Sequence, residues 1–231
     1  MPKSSRRAGQ NIHQLAAKRR VQSIISFTSA GFILCFPFFL VKLFQDFLRQ
    51  LPHSSQSQVT LNMPPSFYAF FTVAALGLVA NGVFLWKRAN HAVQGAKGEE
   101  NVAEKMVQLE QAGWKIEYGM RLGNRLGDAD IVCISPQDKA FVIDVKSHRG
   151  EVISNGKELC RRMGKTVYPF EKNFLEQAMK QALQVKQQKN LRFVTPIVAF
   201  SEARVLVPSG KVQKVYVVEK SKLVSLLKSL G

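Results

Sequence analysis

The chain has 231 residues, with 33 Lys and Arg against 16 Asp and Glu, a formal net charge of +17, and 46% hydrophobic residues. That balance is too apolar for a disordered chain, and the length suits one large domain or one medium domain with appendages. The three cysteines, Cys35, Cys133 and Cys160, have no paired spacing, so neither a disulfide framework nor a Cys-based zinc site is indicated.

Residues 1–20 form a basic arm containing Lys3, Arg6, Arg7, Lys18, Arg19 and Arg20. No charge follows from Ile24 to Val41. This run reaches the roughly 18 apolar residues of a membrane span and predicts a first transmembrane helix over 21–43, with Pro37 as a kink that a neighbouring segment can cover. It is longer than the ~7–15 residues of a signal-peptide core, so it reads as an uncleaved anchor. Residues 44–65, rich in Ser, Gln and Pro, form a connecting loop. Ser66 to Trp86 is again free of charge and predicts a second span over 66–86. At ~1.5 Å rise per residue each run covers about 30 Å, the thickness of a bilayer's hydrocarbon core.

Lys87 and Arg88 follow the second span, whereas the loop region offers only Lys42 and Arg49 against Asp46. The positive-inside rule then predicts an inner (cytoplasmic) membrane protein with the loop outside and both termini in the cytoplasm. The basic arm suits topogenic and anionic-lipid contact better than nucleic-acid binding. Gly77 and Ala80 suit close packing within the hairpin or in a homo-oligomer. Neither apolar run, Ile24–Val41 or Ser66–Trp86, contains a charged residue to line a pathway, which argues against a channel or transporter.

After a linker over 87–96 the composition changes. From Gly95 to Gly231 lie 15 of the 16 acidic and 23 of the 33 basic residues, a net +8. The domain over 97–231 is long enough for its own core. Val102, Met106 and Leu109 recur at helical spacing, and Gly113 ends that helix. A strand is expected over Lys115–Leu122. In ADIVCIS, Asp130, Val132 and Ile134 share one face, Ile131 and Cys133 the other; in AFVIDVK, Val142, Asp144 and Lys146 share one face, Phe141, Ile143 and Val145 the other. A short strand near Val152, a helix over 173–189, the strand RFVTPIVAF, a strand near Tyr216 and a closing helix from Ser221 complete the pattern. The fold class is α/β, a mixed sheet flanked by helices, preceded by a two-helix transmembrane hairpin.

Acidic residues on a sheet face need a reason, since Asp is a poor strand former and an unpaired buried carboxylate is costly. Asp130 and Asp144 brought together would repel, and a divalent cation held by oxygen alone, Mg²⁺ or Mn²⁺, would satisfy them. Lys146 projects from the face of Asp144, where an ammonium can position an attacking water and neutralise a phosphoryl oxygen. Glu99 shares a helix face with Val102 and Met106 and can complete the acidic cluster. The tripeptide Asp-x-Lys occurs readily by chance; its place at the end of an apolar strand gives it weight.

At KGEENVAEKMVQLEQAGW, GDADIVCISPQDKAFVIDVKSHRG and NFLEQAMKQALQVKQ the sequence resembles the NERD (nuclease-related) domain, a branch of the PD-(D/E)xK restriction-endonuclease-like superfamily. The resemblance spans Lys97 to Phe200. It implies Mg²⁺-dependent hydrolysis of phosphodiesters in nucleic acid; DNA is favoured over RNA as the partner, a choice the residues themselves leave open. It places Glu99, Asp130, Asp144 and Lys146 on the family's acidic and lysine positions and Gln177 on its helix glutamine. Two positions depart from the pattern: Asp144 stands where Glu is common, and Ala-Asp-Ile replaces Ile-Asp-His.

Other residues suit substrate contact. Arg161, Arg162, Lys165 and Lys172 surround Tyr168 and Phe170, a mixture fitted to backbone contact with stacking, or to an ordinary surface loop. His148 lies near Lys146, where it can touch phosphate or serve as a turn residue. Gln177, Gln181, Gln184 and Gln188 make a polar helix stripe that can contact bases or phosphates, the expectation at Gln177, or face solvent, which suits the other three at least as well. Gly164-Lys165-Thr166 lacks the first glycine and preceding strand of a phosphate-binding loop. The expected activity is therefore a membrane-anchored nuclease, and its rival is a catalytically inactive, membrane-tethered binding module on the same fold.

Overall fold

The computed structural model describes residues 10–50, 63–123 and 126–231, so Lys3, Arg6 and Arg7 of the basic arm and most of the expected outer loop lie outside the described residues. The chain divides into two units, Gln14–Ala92 and Val93–Gly231, the latter together with the stretch ending at His13.

Helices α1 (Gln10–Arg49) and α2 (Pro65–Gln111) carry the two apolar runs. Both are long and apolar enough to cross a membrane. Pro37 lies inside α1 without ending it. Within this unit large apolar side chains such as Phe32, Phe39, Phe70 and Val73 are exposed, while most of the buried residues are small, among them Ser23, Ser26, Ala30, Ala75 and Gly82. Small residues let two apolar helices approach, and side-chain hydrogen bonds then fasten them. Ser23 Oγ donates to the Gly82 carbonyl (2.7 Å), and Asn81 Nδ2 donates to Ser26 Oγ (3.1 Å). The close approach falls at Gly82, where an added Cβ would meet the Phe27 ring. Gly77 and Ala80, expected as packing contacts, are exposed and take no part in it.

Residues 87–96, expected as a linker, are helical as part of α2. That helix ends at Gln111, and Gly113, with a φ of +84°, suits a glycine just past a helix C-terminus. Strands β1 (Lys115–Arg121), β2 (Asp128–Ile134) and β3 (Ala140–Ser154) follow as an antiparallel meander. Next come β4 (Leu159–Met163), β5 (Thr166–Pro169) and α3 (Phe174–Gln188), then β6 (Val194–Val205), β7 (Lys211–Val212), β8 (Val215–Glu219) and α4 (Lys220–Leu230). The sheet order is β1-β2-β3-β6-β8-β7, with β3–β6 and β6–β8 parallel and the β4–β5 hairpin attached to the far half of β3.

The alternation in β2 and β3 decides which side each helix takes. Ile131, Cys133, Phe141, Ile143 and Val145 pack with Val102, Met106 and Leu109 of α2 and with Leu223 and Leu227 of α4. Val132 and Val142 pack on the opposite side with Ala182 and Val185 of α3, beside a cluster of Leu159, Phe174, Val198 and Phe200. Asn173 caps α3 by accepting a hydrogen bond from the Glu176 N–H. The strand expected near Val152 is the continuation of β3, which passes through an irregularity between Lys146 and Arg149 and keeps its parallel partner β6. Gly150 makes the return of β4 possible: its φ is +95°, and an added Cβ would lie 2.8 Å from the Arg162 carbonyl oxygen.

Candidate active site

The β2–β3 ladder runs from Ile134 opposite Ala140 to Ile131 opposite Ile143. Continuing that register by one residue brings Asp130 level with Asp144. There the strands part, and a side chain takes over the backbone's work: the Val145 N–H donates to Asp130 Oδ2 (2.7 Å). A carboxylate that accepts from the neighbouring strand is held in place by the sheet itself.

Asp144 is 1% exposed. Lys146 Nζ donates to its Oδ1 (2.8 Å) and stands 2.7 Å from Oδ2. Gln177 Nε2 of α3 also donates to Oδ1 (3.3 Å). Oδ2 is buried and receives no hydrogen bond of its own, only the charge of the same ammonium. The ammonium is itself placed by the Phe174 ring, 4.9 Å from its centroid.

The electrostatics follow from burial and crowding. Desolvation, then the charges of Asp144 and Glu99, push the Asp130 carboxyl well above the usual carboxylate range. Asp144 is also raised, by burial against the opposing pull of Lys146. Glu99 therefore acts on Asp130 through charge. It is positioned by Gly98, where an added Cβ would lie 3.0 Å from both Ser147 Cβ and Ser201 Oγ, so α2 lies directly on β3 and β6 at this point. Gly98→Val is expected to cost about 1–3 kcal/mol, as overpacking does, and to shift Glu99 away from Asp130. A thermal unfolding midpoint unchanged by this substitution would mean that the helix lifts from the sheet without penalty.

Asp130, Asp144, Lys146 and Gln177 thus meet at one place, with Glu99 close enough to be felt. Among the described residues no group of three or more His, Cys, Asp or Glu is arranged to hold a metal ion. Mg²⁺, however, is commonly bound through one or two carboxylates, with waters and substrate phosphates completing its shell. Asp130 and Asp144 fit that requirement: two crowded carboxyls that resist ionisation, one with a buried oxygen that accepts no hydrogen bond, gain from an added cation.

His148 borders the same place. Its ring centroid is 5.0 Å from that of Phe170 and 5.5 Å from that of Phe174. Burial, Arg161 and Lys146 lower its pKa, so the imidazole is neutral at neutral pH. Arg162 is committed to Glu151, with Nε 2.7 Å from Oε2. Lys165 is exposed in the turn between β4 and β5.

Sequence reasoning missed Gln181. Expected on a solvated stripe, it is 1% exposed; its Nε2 reaches the Asp128 carbonyl at 3.4 Å, and its side chain helps stabilise the charged form of Asp144. Its position four residues after Gln177 was the available signal, since i and i+4 share a helix face. A cavity of about 390 Å³ between β8 and α4, lined by Val205, Tyr216, Glu219 and Lys222 among others, is formed by none of these residues.

A family model of the NERD, or nuclease-related, domain matches residues 94–201. This stretch is thus similar to a nuclease-related domain, and it contains each of the site residues named above. No curated protein and no solved structure matches the chain.

Proposed function

We propose that the chain is a membrane-anchored, divalent-metal-dependent nuclease of the PD-(D/E)xK kind that hydrolyses phosphodiester bonds of nucleic acid. The observation that carries this reading is the meeting of Asp130, Asp144 and Lys146 where β2 and β3 part, inside the matched domain. Asp130 and Asp144 would hold Mg²⁺ or Mn²⁺, with Glu99 acting from the outside of that pair. When bound, such an ion supplies Lewis-acid stabilisation of charge developing on a phosphoryl oxygen. Lys146 positions the attacking water and neutralises the phosphate beside it. Gln177 fixes Asp144, and Arg161, Lys165 and His148 engage the polymer. The two apolar helices anchor the chain in the cytoplasmic membrane with both termini inside, as the flanking cations suggest.

A second reading is favoured by the lack of a three-residue metal group among the described residues: an inactive, membrane-tethered module that binds nucleic acid without cutting it. The full chain in detergent micelles, incubated with Mg²⁺ or Mn²⁺ and labelled single- and double-stranded DNA and RNA, separates the two. Cleavage is expected, and Asp144→Ala is expected to lower it by about three orders of magnitude, as loss of ~4 kcal/mol of transition-state stabilisation does. Binding without cleavage under every metal would instead support the module.

A further inference from the structure

The geometry points to one face of the β4–β5 hairpin as the docking platform for a single-stranded nucleic acid, with a base stacked on Tyr168 and a phosphate on Arg161. This rests on the nuclease reading above and adds the strandedness of its substrate. In the hairpin Arg161 pairs with Tyr168 and Arg162 with Val167. Cross-strand partners share a face, and alternate residues along a strand return to it. Leu159, Arg161, Met163 and Tyr168 therefore lie on one side, and Arg162 with Val167 on the other.

Leu159 is buried with Phe174 and Phe200, so the first side is the one that carries Asp144, Lys146 and α3. Arg161 and Lys146 both act on the His148 imidazole, and His148 packs on Phe170 and Phe174. Cations and rings thus lead outward from Lys146 through His148 to Arg161 and Tyr168.

The two sides of the hairpin differ in how their charge is used. Arg162 is paired with Glu151. Arg161 makes no ion pair among the described residues. Opposite it Tyr168 is 46% exposed, and Met163 beyond it is 44% exposed. Between Lys146 and Lys172 the chain carries seven Lys and Arg against three Glu, a local excess that suits a polyanion. A half-exposed aromatic ring beside an unpaired guanidinium on a sheet face is how bases are stacked and backbones followed in single-strand recognition. In a duplex the faces of the bases are already stacked on each other, so only a strand with unpaired bases gains from Tyr168.

The test uses the full chain in detergent micelles with Asp144→Asn in every arm, so that no cleavage intervenes, and fluorescence anisotropy of labelled oligo-dT, oligo-U and a blunt duplex. Tighter binding of single strands than of the duplex is expected. Tyr168→Ala should weaken single-strand affinity about tenfold, Tyr168→Phe should restore it, and the duplex should bind unchanged. Arg161→Gln should lower the salt dependence of binding by about one unit of slope. Single-strand affinity indifferent to Tyr168→Ala, or a duplex bound more tightly than either single strand, would overturn this inference and leave the nuclease reading standing. Failure of every variant to bind any of the three polymers would remove both.

Discussion

Asp130→Asn is expected to abolish cleavage and, without added metal, to make the protein more stable. Burial, Asp144 and Glu99 all oppose the charge on Asp130. Asn removes that charge and keeps an oxygen to accept the Val145 N–H, so the junction of β2 and β3 stays closed. A gain on the order of 1 kcal/mol corresponds to roughly 2–4 °C in the unfolding midpoint of a domain of this size. The sign of the pH dependence follows from the direction of the shift. The folded state binds the Asp130 proton more tightly than the unfolded state, so stability at this site is lost as pH rises from the ordinary aspartate range through the raised one. The metal-free midpoint of the Asn variant should therefore fall less with rising pH than that of the parent. Added Mg²⁺ should raise the parent's midpoint by binding the folded state alone, and most of that rise should vanish in the variant. An Asn variant less stable than its parent in EDTA would contradict the view of Asp130 as a strained metal ligand.

Much of this arrangement was legible in the residues because period two is a strong signal wherever one face is apolar. Ile131 and Cys133, with Phe141, Ile143 and Val145, announced the α2 side of the sheet, and this left Asp130, Asp144 and Lys146 on the other side together. The extent of β3 was not legible. Its irregularity after Lys146 breaks the alternation, so one strand reads as two. The β4–β5 hairpin reads equally well as an ordinary surface loop because its residues are almost all half-buried or exposed on both faces, which erases the contrast between apolar and polar positions. Gln181 reads as a surface residue since an amide carries no mark of burial; only the approach of Asp128 and Asp144 from two strands gives it a role. Pairing of one acid with the other depends on the turn between β2 and β3, closed by the Ser135 N–H donating to the Lys139 carbonyl, and a different turn length would have shifted Asp130 away from Asp144.

Lys146→Met should be the substitution at the candidate site that costs most stability, and it should abolish cleavage as well. Asp144 is almost wholly enclosed and the Lys146 ammonium is the strongest influence favouring its charged form. Removing one member of a buried pair leaves the other uncompensated, at about 3–5 kcal/mol. Met retains the aliphatic stem against Phe174, so the loss measured is that of the charge rather than of packing. Without Lys146 the Asp144 carboxyl rises further, and the variant should regain stability as pH falls and the proton replaces the missing ammonium. Asp144→Asn in the same chain should recover most of the lost midpoint, because the uncompensated charge is then gone, while cleavage stays absent. In activity the two single changes and the double should be alike, as members of one catalytic unit are. The stability cycle carries the physical content: a coupling of 2 kcal/mol or more is what a close buried pair gives, whereas simple addition of the two single effects would mean that Lys146 serves substrate without holding Asp144 in its charged state.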